Sequence, residues 1–318
     1  MSPSLLLTGA TGTVGTALLR ELSVRGVSAR VLVRNLQAAT ALQSPLVSLM
    51  EGDLRTPSTL DAALDGIERV FLLSPPGPDQ VILQGNVVEA VQRTGRPIHI
   101  VKVSVLGAGP EASVPLARWH AVTEAQIRQL DGPATILRPH IFMQNLLGTA
   151  ARIQADGLLF GAFGDVPLPF IDARDVAAVA AVVLTQAGHA GQTYTLTGPR
   201  LLTYAQVAAT LSSLYRRPIH YVNLPSERYH EALVGDGVPN WLADNLAALA
   251  RWLQNGTAST ITPTVIELTG RPGRTLEQFL RDYRASFLDR TSISHSLCVE
   301  ADNAQPTPPP RPSTYRER

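Results

Sequence analysis

The sequence is short of several things, and each shortage narrows its function. One cysteine, Cys298, is present in 318 residues, so no disulfide forms within the chain and a reducing, cytoplasmic compartment fits. One lysine is present, Lys102; the remaining basic side chains are arginines. The 27 basic and 26 acidic residues leave a net charge of +1 with no basic stripe, which excludes an electrostatic nucleic-acid binder. No apolar run approaches the roughly 18 residues of a membrane span. The chain enters an apolar strand without a preceding basic region and hydrophobic leader, so no secretory signal is expected. The histidines have no metal-ligand spacing and no metal is expected; no G-x-S-x-G nucleophile motif occurs either.

Hydrophobic residues make up 45% of the chain, enough for a substantial core. The most informative stretch comes first. Leu5-Leu6-Leu7 is followed by Thr8-Gly9-Ala10-Thr11-Gly12-Thr13-Val14-Gly15 and then by a helical pattern through Leu22. Strand, glycine turn and helix in that order form a dinucleotide fingerprint. Gly9 permits the sharp turn, Gly12 lets the backbone approach a pyrophosphate, and Gly15 lets the helix pack on the sheet. The N–H groups and partial positive charge at the helix start then face the phosphates. Gly9, Thr11, Gly12, Thr13, Val14 and Gly15 are the expected cofactor contacts here. A glycine turn of purely structural purpose is the alternative.

Beyond this point apolar runs alternate with amphipathic stretches: Ala29 to Val33, Leu46 to Met50, Val70 to Leu73, Ile98 to Val103 and Thr135 to Leu137, with helices such as Ser58 to Leu64 and Asp79 to Arg93 between them. Short continuous apolar strands separated by helices imply an α/β fold, a doubly wound parallel Rossmann sheet with right-handed crossovers. After Pro139 the pattern predicts a helix over Phe142 to Gln154, glycine- and proline-rich turns to Phe170, and a helix capped by Asp172. Strands at Thr193 to Leu196 and Pro218 to Val222 follow, with a helix capped by Thr203 and helices around 227–233, 241–253 and 276–287. The expected division is a NAD(P)-binding core over residues 1–155, a smaller α+β substrate lobe with interleaved core elements over 156–288, and a disordered, proline-rich tail over 289–318.

The second strand ends in Val33-Arg34-Asn35, without the carboxylate that would accept hydrogen bonds from the ribose hydroxyls of NAD. An arginine at that place neutralises a 2′-phosphate, which selects NADPH. Asp53 and Leu54 after the third strand, and Ser74 and Pro75 after the fourth, complete the expected cofactor loops. Asp53 could instead cap the helix that starts near Thr56-Pro57.

Taken together, Gly9 to Gly15, Arg34, Gly52-Asp53-Leu54, Lys102-Val103-Ser104, His120-Ala121-Val122-Thr123-Glu124 and Leu137 to Asn145 resemble the NmrA-like family of atypical short-chain dehydrogenases/reductases. The resemblance covers residues 4 to 288 approximately. It implies an NADPH-dependent reductase acting on a small conjugated apolar acceptor, of quinone, azo, enone or imine type; the family also includes non-catalytic NADP(H)-sensing regulators, which is the alternative. Small molecules are then the partners, without nucleic acid or membrane, and a homodimer is compatible. Ordinary short-chain reductases carry tyrosine and lysine four residues apart; the corresponding positions here are His120 and Glu124, and Ile98 stands four residues before the sole lysine. The standard tyrosine mechanism is therefore excluded. His120, with Glu124 one turn away to orient it, and Ser104 at the end of the fifth strand are the catalytic candidates. Lys102 and Pro139 are expected beside the cofactor, with a structural cation near the end of the sheet as the alternative for Lys102. His140, a second candidate proton donor, Phe142 and Asn145 are expected against substrate. The Trp119 region and residues 142–170 are the expected apolar wall, with ordinary core packing as the alternative for Phe142 and Met143.

Overall fold

The computed structural model describes residues 3–288; the proline-rich stretch from 289 to 318 lies outside the described residues. Seven parallel strands form the central sheet: β1 (Leu5–Leu7), β2 (Ala29–Val33), β3 (Val47–Glu51), β4 (Arg69–Leu72), β5 (His99–Val103), β6 (Ala134–Pro139) and, from later in the chain, β8 (Thr193–Leu196). Their order across the sheet is β3-β2-β1-β4-β5-β6-β8. The order reverses at β1, with β4 on its other side, and this is where open α/β sheets hold their ligands. A separate parallel pair joins β7 (Leu158–Gly161) to β9 (His220–Asn223).

Helices cover both faces of the sheet, as apolar strands with no polar alternation require. On one side α1 (Thr13–Val24) packs beside α6 (Ala173–Thr185), sharing a core with Leu7, Val31, Phe71, Val101 and Leu137. Helix α6 is buried on nearly every face, which its alanine- and valine-rich sequence allows. On the other side α2 (Pro57–Ala63), α3 (Gln80–Arg93) and α4 (Pro115–Arg128) cover Leu6, Leu32, Val70, Leu72 and Ile100. Prolines at the first turns of α2 and α4 sit where their missing N–H costs nothing.

The later elements build a second core around Met143, Phe163, Phe170, Tyr204, Phe279 and Phe287. They are α5 (Ala150–Asp156), α7 (Tyr204–Tyr215), α8 (Ser226–Gly235), α9 (Asn240–Gln254), α11 (Leu276–Asp282) and α12 (Arg284–Leu288); α10 (Thr264–Thr269) instead packs on the sheet core through Val265 and Leu268. Asp172 caps α6 by accepting from Arg174 N–H, and Thr203 caps α7 in a reciprocal box with Gln206, as expected. Other expectations need correction. The predicted helix from Phe142 begins as a 3-10 segment, Met143–Thr149, because Phe142 bridges Ile171 and Met143 N–H bonds the Ile171 carbonyl. The single helix predicted over 276–287 breaks at Tyr283 into α11 and α12, and α10 was not anticipated.

Candidate active site

Adjacent parallel strands deliver their carboxyl ends to one edge, so Thr8-Gly9 after β1, Leu73-Ser74 after β4, Ser104 after β5 and His140 after β6 are neighbours along it. Thr8 fixes the first two loops together: its Oγ1 donates to Leu73 O at 2.7 Å and accepts from Leu73 N–H at 3.0 Å. Gly9 has φ +66°, and a Cβ there would stand 2.7 Å from Leu73 O, so the turn demands glycine twice over.

The remaining glycines divide by role. A Cβ on Gly15 would collide with the Gly9 carbonyl, so this residue serves close packing of helix on turn. A Cβ on Gly12 would meet only Gly9 O, at 3.4 Å, with open space otherwise. Thr11, Gly12 and Thr13 are exposed, whereas the Val14 side chain is buried in the core and leaves only its backbone for a ligand. Gly12 is the N-cap of α1 with no side-chain cap, and the first turn carries no acidic residue. The N–H groups of that turn are thus presented to an anion. This cradle fits the pyrophosphate of a dinucleotide. Arg34 is exposed just beyond β2 and no carboxylate ends that strand, in keeping with a 2′-phosphate. Asp53 does not cap α2: its Oδ1 accepts from Arg55 N–H at 2.9 Å, and Thr56 is the N-cap. Asn86 holds the same loop by donating to Leu54 O at 2.7 Å.

Under the ends of β4 and β5 lies a chain of buried polar groups. Lys102 is fully buried, and its Nζ lies 2.6 Å from Gln84 Oε1, 3.0 Å from His120 Nδ1 and 3.3 Å from Val103 O. Gln84 continues the chain by donating through Nε2 to Ser74 Oγ at 2.9 Å. Pro75 is exposed beside it. Burial lowers the Lys102 pKa to about 7, with the Glu124 carboxylate opposing the fall. Burial, and then the charge of Lys102, hold His120 well below the usual imidazole value, so its ring is neutral. Lys102 was expected either beside the cofactor or as a structural cation near the end of the sheet. Its ammonium is turned into this cluster.

Glu124 was expected to orient His120, and it does something else. Ser104 Oγ donates to its Oε1 at 2.6 Å, Arg138 forks onto both oxygens at 3.0 and 2.6 Å, and Arg128 reaches Oε2 at 2.7 Å. Burial pushes this carboxyl up, but the bonds from Arg138 and Ser104 and the Arg138 charge bring it below its ordinary range. The carboxylate is therefore held as an anion by these partners. Ser104, with its hydrogen committed to Glu124, keeps only acceptor capacity for a ligand.

The third shell of expectations is mixed. Pro139 is buried at the end of β6, and its carbonyl accepts from Leu106 N–H at 3.0 Å. His140 is 5% exposed, and its Nδ1 accepts from Ile141 N–H at 2.7 Å. Burial lowers its pKa to about 4, with a hydrogen bond to the Ala258 backbone opposing the fall. Phe142 is half-buried and packs on the sheet core, and Asn145 is exposed. Phe163 and Phe170 do not form the expected pocket wall, because both are buried against Tyr204 inside the second core. Trp119 is half-buried, 6.4 Å from the Trp241 ring of α9. A groove of about 590 Å³ opens between the start of α4, α8 and α9, with Glu227, Glu231, Asp244 and Arg251 among its lining residues. Among the described residues no cluster could hold a metal ion.

Two residues of this site escaped the sequence reading. Gln84 stands on the stripe Gln84, Val87, Val88 and Val91 of α3, and a polar residue on an apolar stripe is the signal that would have found it. Arg138 was visible only as part of the Leu-Arg-Pro run.

With this geometry in hand, known proteins can be set beside it. Residues 1–284 match the NmrA-like family. The NAD(P)H azoreductase of Xenophilus azovorans is 37% identical over 283 residues, taking in 89% of this chain and 99% of that protein. The NADPH-dependent quinone oxidoreductase of Escherichia coli, solved in complex with NADPH, superposes with a TM-score of 0.82 at 29% identity, over 88% of this chain and 99% of that one. The triphenylmethane reductase of Citrobacter sp., complexed with NADP(H), gives a TM-score of 0.79 at 27% identity, over 87% and 99%.

Proposed function

The chain belongs to the NmrA-like family, and from that premise we propose that it is an NADPH-dependent reductase of small, conjugated, apolar acceptors of quinone, azo or arylmethane-dye type. The single observation that carries this reading is the cradle at Gly9–Gly15, open at Gly12 and backed by the uncapped start of α1, on the same sheet edge as Ser74 and Ser104. In this reading the backbone from Thr11 to Gly15 holds the pyrophosphate, Arg34 the 2′-phosphate, and the Asp53–Leu54 and Ser74–Pro75 loops the adenine and nicotinamide sides. When bound, NADPH supplies the two-electron reduction by hydride.

What the chain adds is orientation and proton control. Conjugated acceptors are electrophilic, so positioning beside the cofactor and exclusion of water supply much of the rate. His120 serves as the hydrogen-bond donor to the acceptor, its neutral ring held by Lys102. Ser104 accepts a hydrogen bond from the ligand, with its own hydrogen given to Glu124. His140, Phe142 and Asn145 line the acceptor side. Glu124 holds α4 onto β6 through Arg138 and is left out of the chemistry.

Small molecules are the partners in this proposal, a homodimer is its assembly, and the cytoplasm, consistent with a single cysteine, is its compartment. Among the described residues no helix is long and apolar enough to cross a membrane. The test is to give purified protein NADPH with a panel of quinones and azo dyes and to follow loss of reduced cofactor. Oxidation above background with at least one acceptor class is expected. A flat trace for every acceptor, with NADPH bound, overturns the reading.

A further inference from the structure

Lys102 is the one lysine of the chain, fully buried, and its surroundings are more specific than a buried cation needs. An ammonium carries three N–H donors, and three acceptors stand around this one: Gln84 Oε1 at 2.6 Å, His120 Nδ1 at 3.0 Å and Val103 O at 3.3 Å. Gln84 Oε1 and the Val103 carbonyl can only accept. His120 Nδ1 is different, because an imidazole nitrogen accepts in one tautomer and donates in the other. Beside an ammonium, Nδ1 must accept, and the ring hydrogen stands on Nε2. Beside a neutral amine, Nδ1–H can donate to the Nζ lone pair, and Nε2 is left as an acceptor.

We propose that Lys102 is the positioning residue of this site, holding His120 as an Nε2–H donor and replacing the proton that His120 gives to the reduced acceptor. The inference rests on the reading above, in which the acceptor lies against His120. The step balances as follows. The acceptor, already reduced by hydride, carries an anionic oxygen or nitrogen, and this atom takes the Nε2 proton. At Nδ1 a new N–H bond forms as one N–H bond of the Lys102 ammonium breaks. The imidazole stays neutral throughout, Lys102 becomes an amine, and no electrons change owner in this step. After the product leaves, water returns a proton to Nε2 and the relay runs backward to restore the ammonium.

The environment supports two accessible states. Burial brings the Lys102 pKa to about 7, so ammonium and amine are both reached near neutrality. The groups facing it are Gln84 from α3, which does not titrate, and His120 and Glu124 from α4. His120 is held neutral by burial and by Lys102 itself. Glu124 is ionised and is already bound by Arg138 of β6, Ser104 and Arg128. Neither neighbour changes charge across the range in which Lys102 does.

The test reads the tautomer directly in cofactor-free protein labelled with 15N-histidine, by long-range proton–nitrogen correlation from about pH 6 to about pH 9. His120 is assigned by its absence in His120→Gln. The expected result is an Nε2–H ring at the acid end that moves toward Nδ1–H with a midpoint of about 7, the value at which Lys102 titrates. In Lys102→Met that movement should vanish, and kcat should fall about a hundredfold, the usual size of a general-acid contribution. If Lys102→Met does not fold, Gln84→Leu serves: it removes one acceptor from the ammonium and should shift the midpoint downward. A wild-type tautomer indifferent to pH overturns the proposal, and so does the same response in Lys102→Met or an unmoved midpoint in Gln84→Leu. A normal tautomer switch with full kcat in His120→Gln would instead overturn the placement of the acceptor at His120, leaving the Lys102–His120 coupling intact.

Discussion

Two regions a few residues apart along the same sheet edge are made of opposite materials. The glycine turn is built from backbone: its character lies in missing side chains, a left-handed Gly9 and an uncapped helix. The cluster under β4 and β5 is built from side chains, and its character lies in which of Ser74, Gln84, Lys102, His120, Ser104 and Glu124 meets which. The first is a matter of chain path and should be intolerant of an added atom at Gly9 and Gly15, where a Cβ meets main chain. The second is a matter of pairing, and its tolerance should depend on the charge left behind.

The largest effect expected on the backbone side is Gly15→Val. The added branched side chain meets the Gly9 carbonyl and Ala10 Cα, both main-chain atoms that cannot swing aside, so no stably folded protein should be recovered. Gly12→Ala is the control for the comparison. Its methyl has room and should cost under about 1 kcal/mol, yet it fills the pyrophosphate approach and should weaken NADPH at least about tenfold. Thermal unfolding and cofactor titration on both variants separate packing from binding. Equal loss of stability in the two would break the distinction drawn between these glycines.

On the side-chain side the largest effect belongs to Lys102. In the unfolded chain it keeps its proton to about 10.5, in the fold only to about 7. Between these values the unfolded state binds more protons, so stability rises with pH there, by at most about 5 kcal/mol in total. Lys102→Met should remove that rise. Denaturant melts at several pH values read it, and an unchanged slope would mean that Lys102 is not the titrating group.

Glu124 should act with the opposite pH sense. Its folded pKa lies below the ordinary value, so its contribution is present above about 4.5 and is lost as pH falls through the lower folded value. Breaking a buried pair costs roughly 3–5 kcal/mol, but Arg138 and Arg128 are 25% and 54% exposed and regain water. Glu124→Ala should therefore cost about 2–3 kcal/mol at neutral pH, with a flattened acid limb in the melting curve. A kcat that falls while stability is unchanged would return Glu124 to the chemistry.

The same contrast explains what could be read from sequence. The turn was legible because backbone geometry is written in residue type and spacing: three glycines between an apolar run and a helix admit few conformations. The strands of the sheet were legible for a related reason, since successive apolar residues are buried on opposite faces, Val31, Phe71 and Val101 on one and Leu32, Val70 and Ile100 on the other. The pairing of His120 was not. Four-residue spacing on α4 put Glu124 on the same side, but the strand β6 brought Arg138 to that carboxylate and β5 brought Lys102 to the ring. Helix periodicity says which face a residue occupies and nothing about which strand arrives opposite. The helix predicted from Phe142 failed likewise, because the bridge to Ile171, twenty-nine residues on, governs its first turn.

The smallest effect sharpens the backbone region at Arg34, proposed above for the 2′-phosphate. Arg34 is exposed beyond β2, where a ribose carboxylate ligand is absent. If it meets the 2′-phosphate, Arg34→Glu replaces a charge-assisted bond with repulsion, worth roughly 1.5–3 kcal/mol at low salt. NADPH should weaken by about ten- to a hundredfold, while NADH, which has no phosphate there, should change by less than about threefold. The NADPH penalty should shrink as salt is raised. Cofactor titrations at low and high salt measure both. A penalty shared equally by NADPH and NADH would remove Arg34 from the phosphate and leave cofactor choice to another part of the cradle.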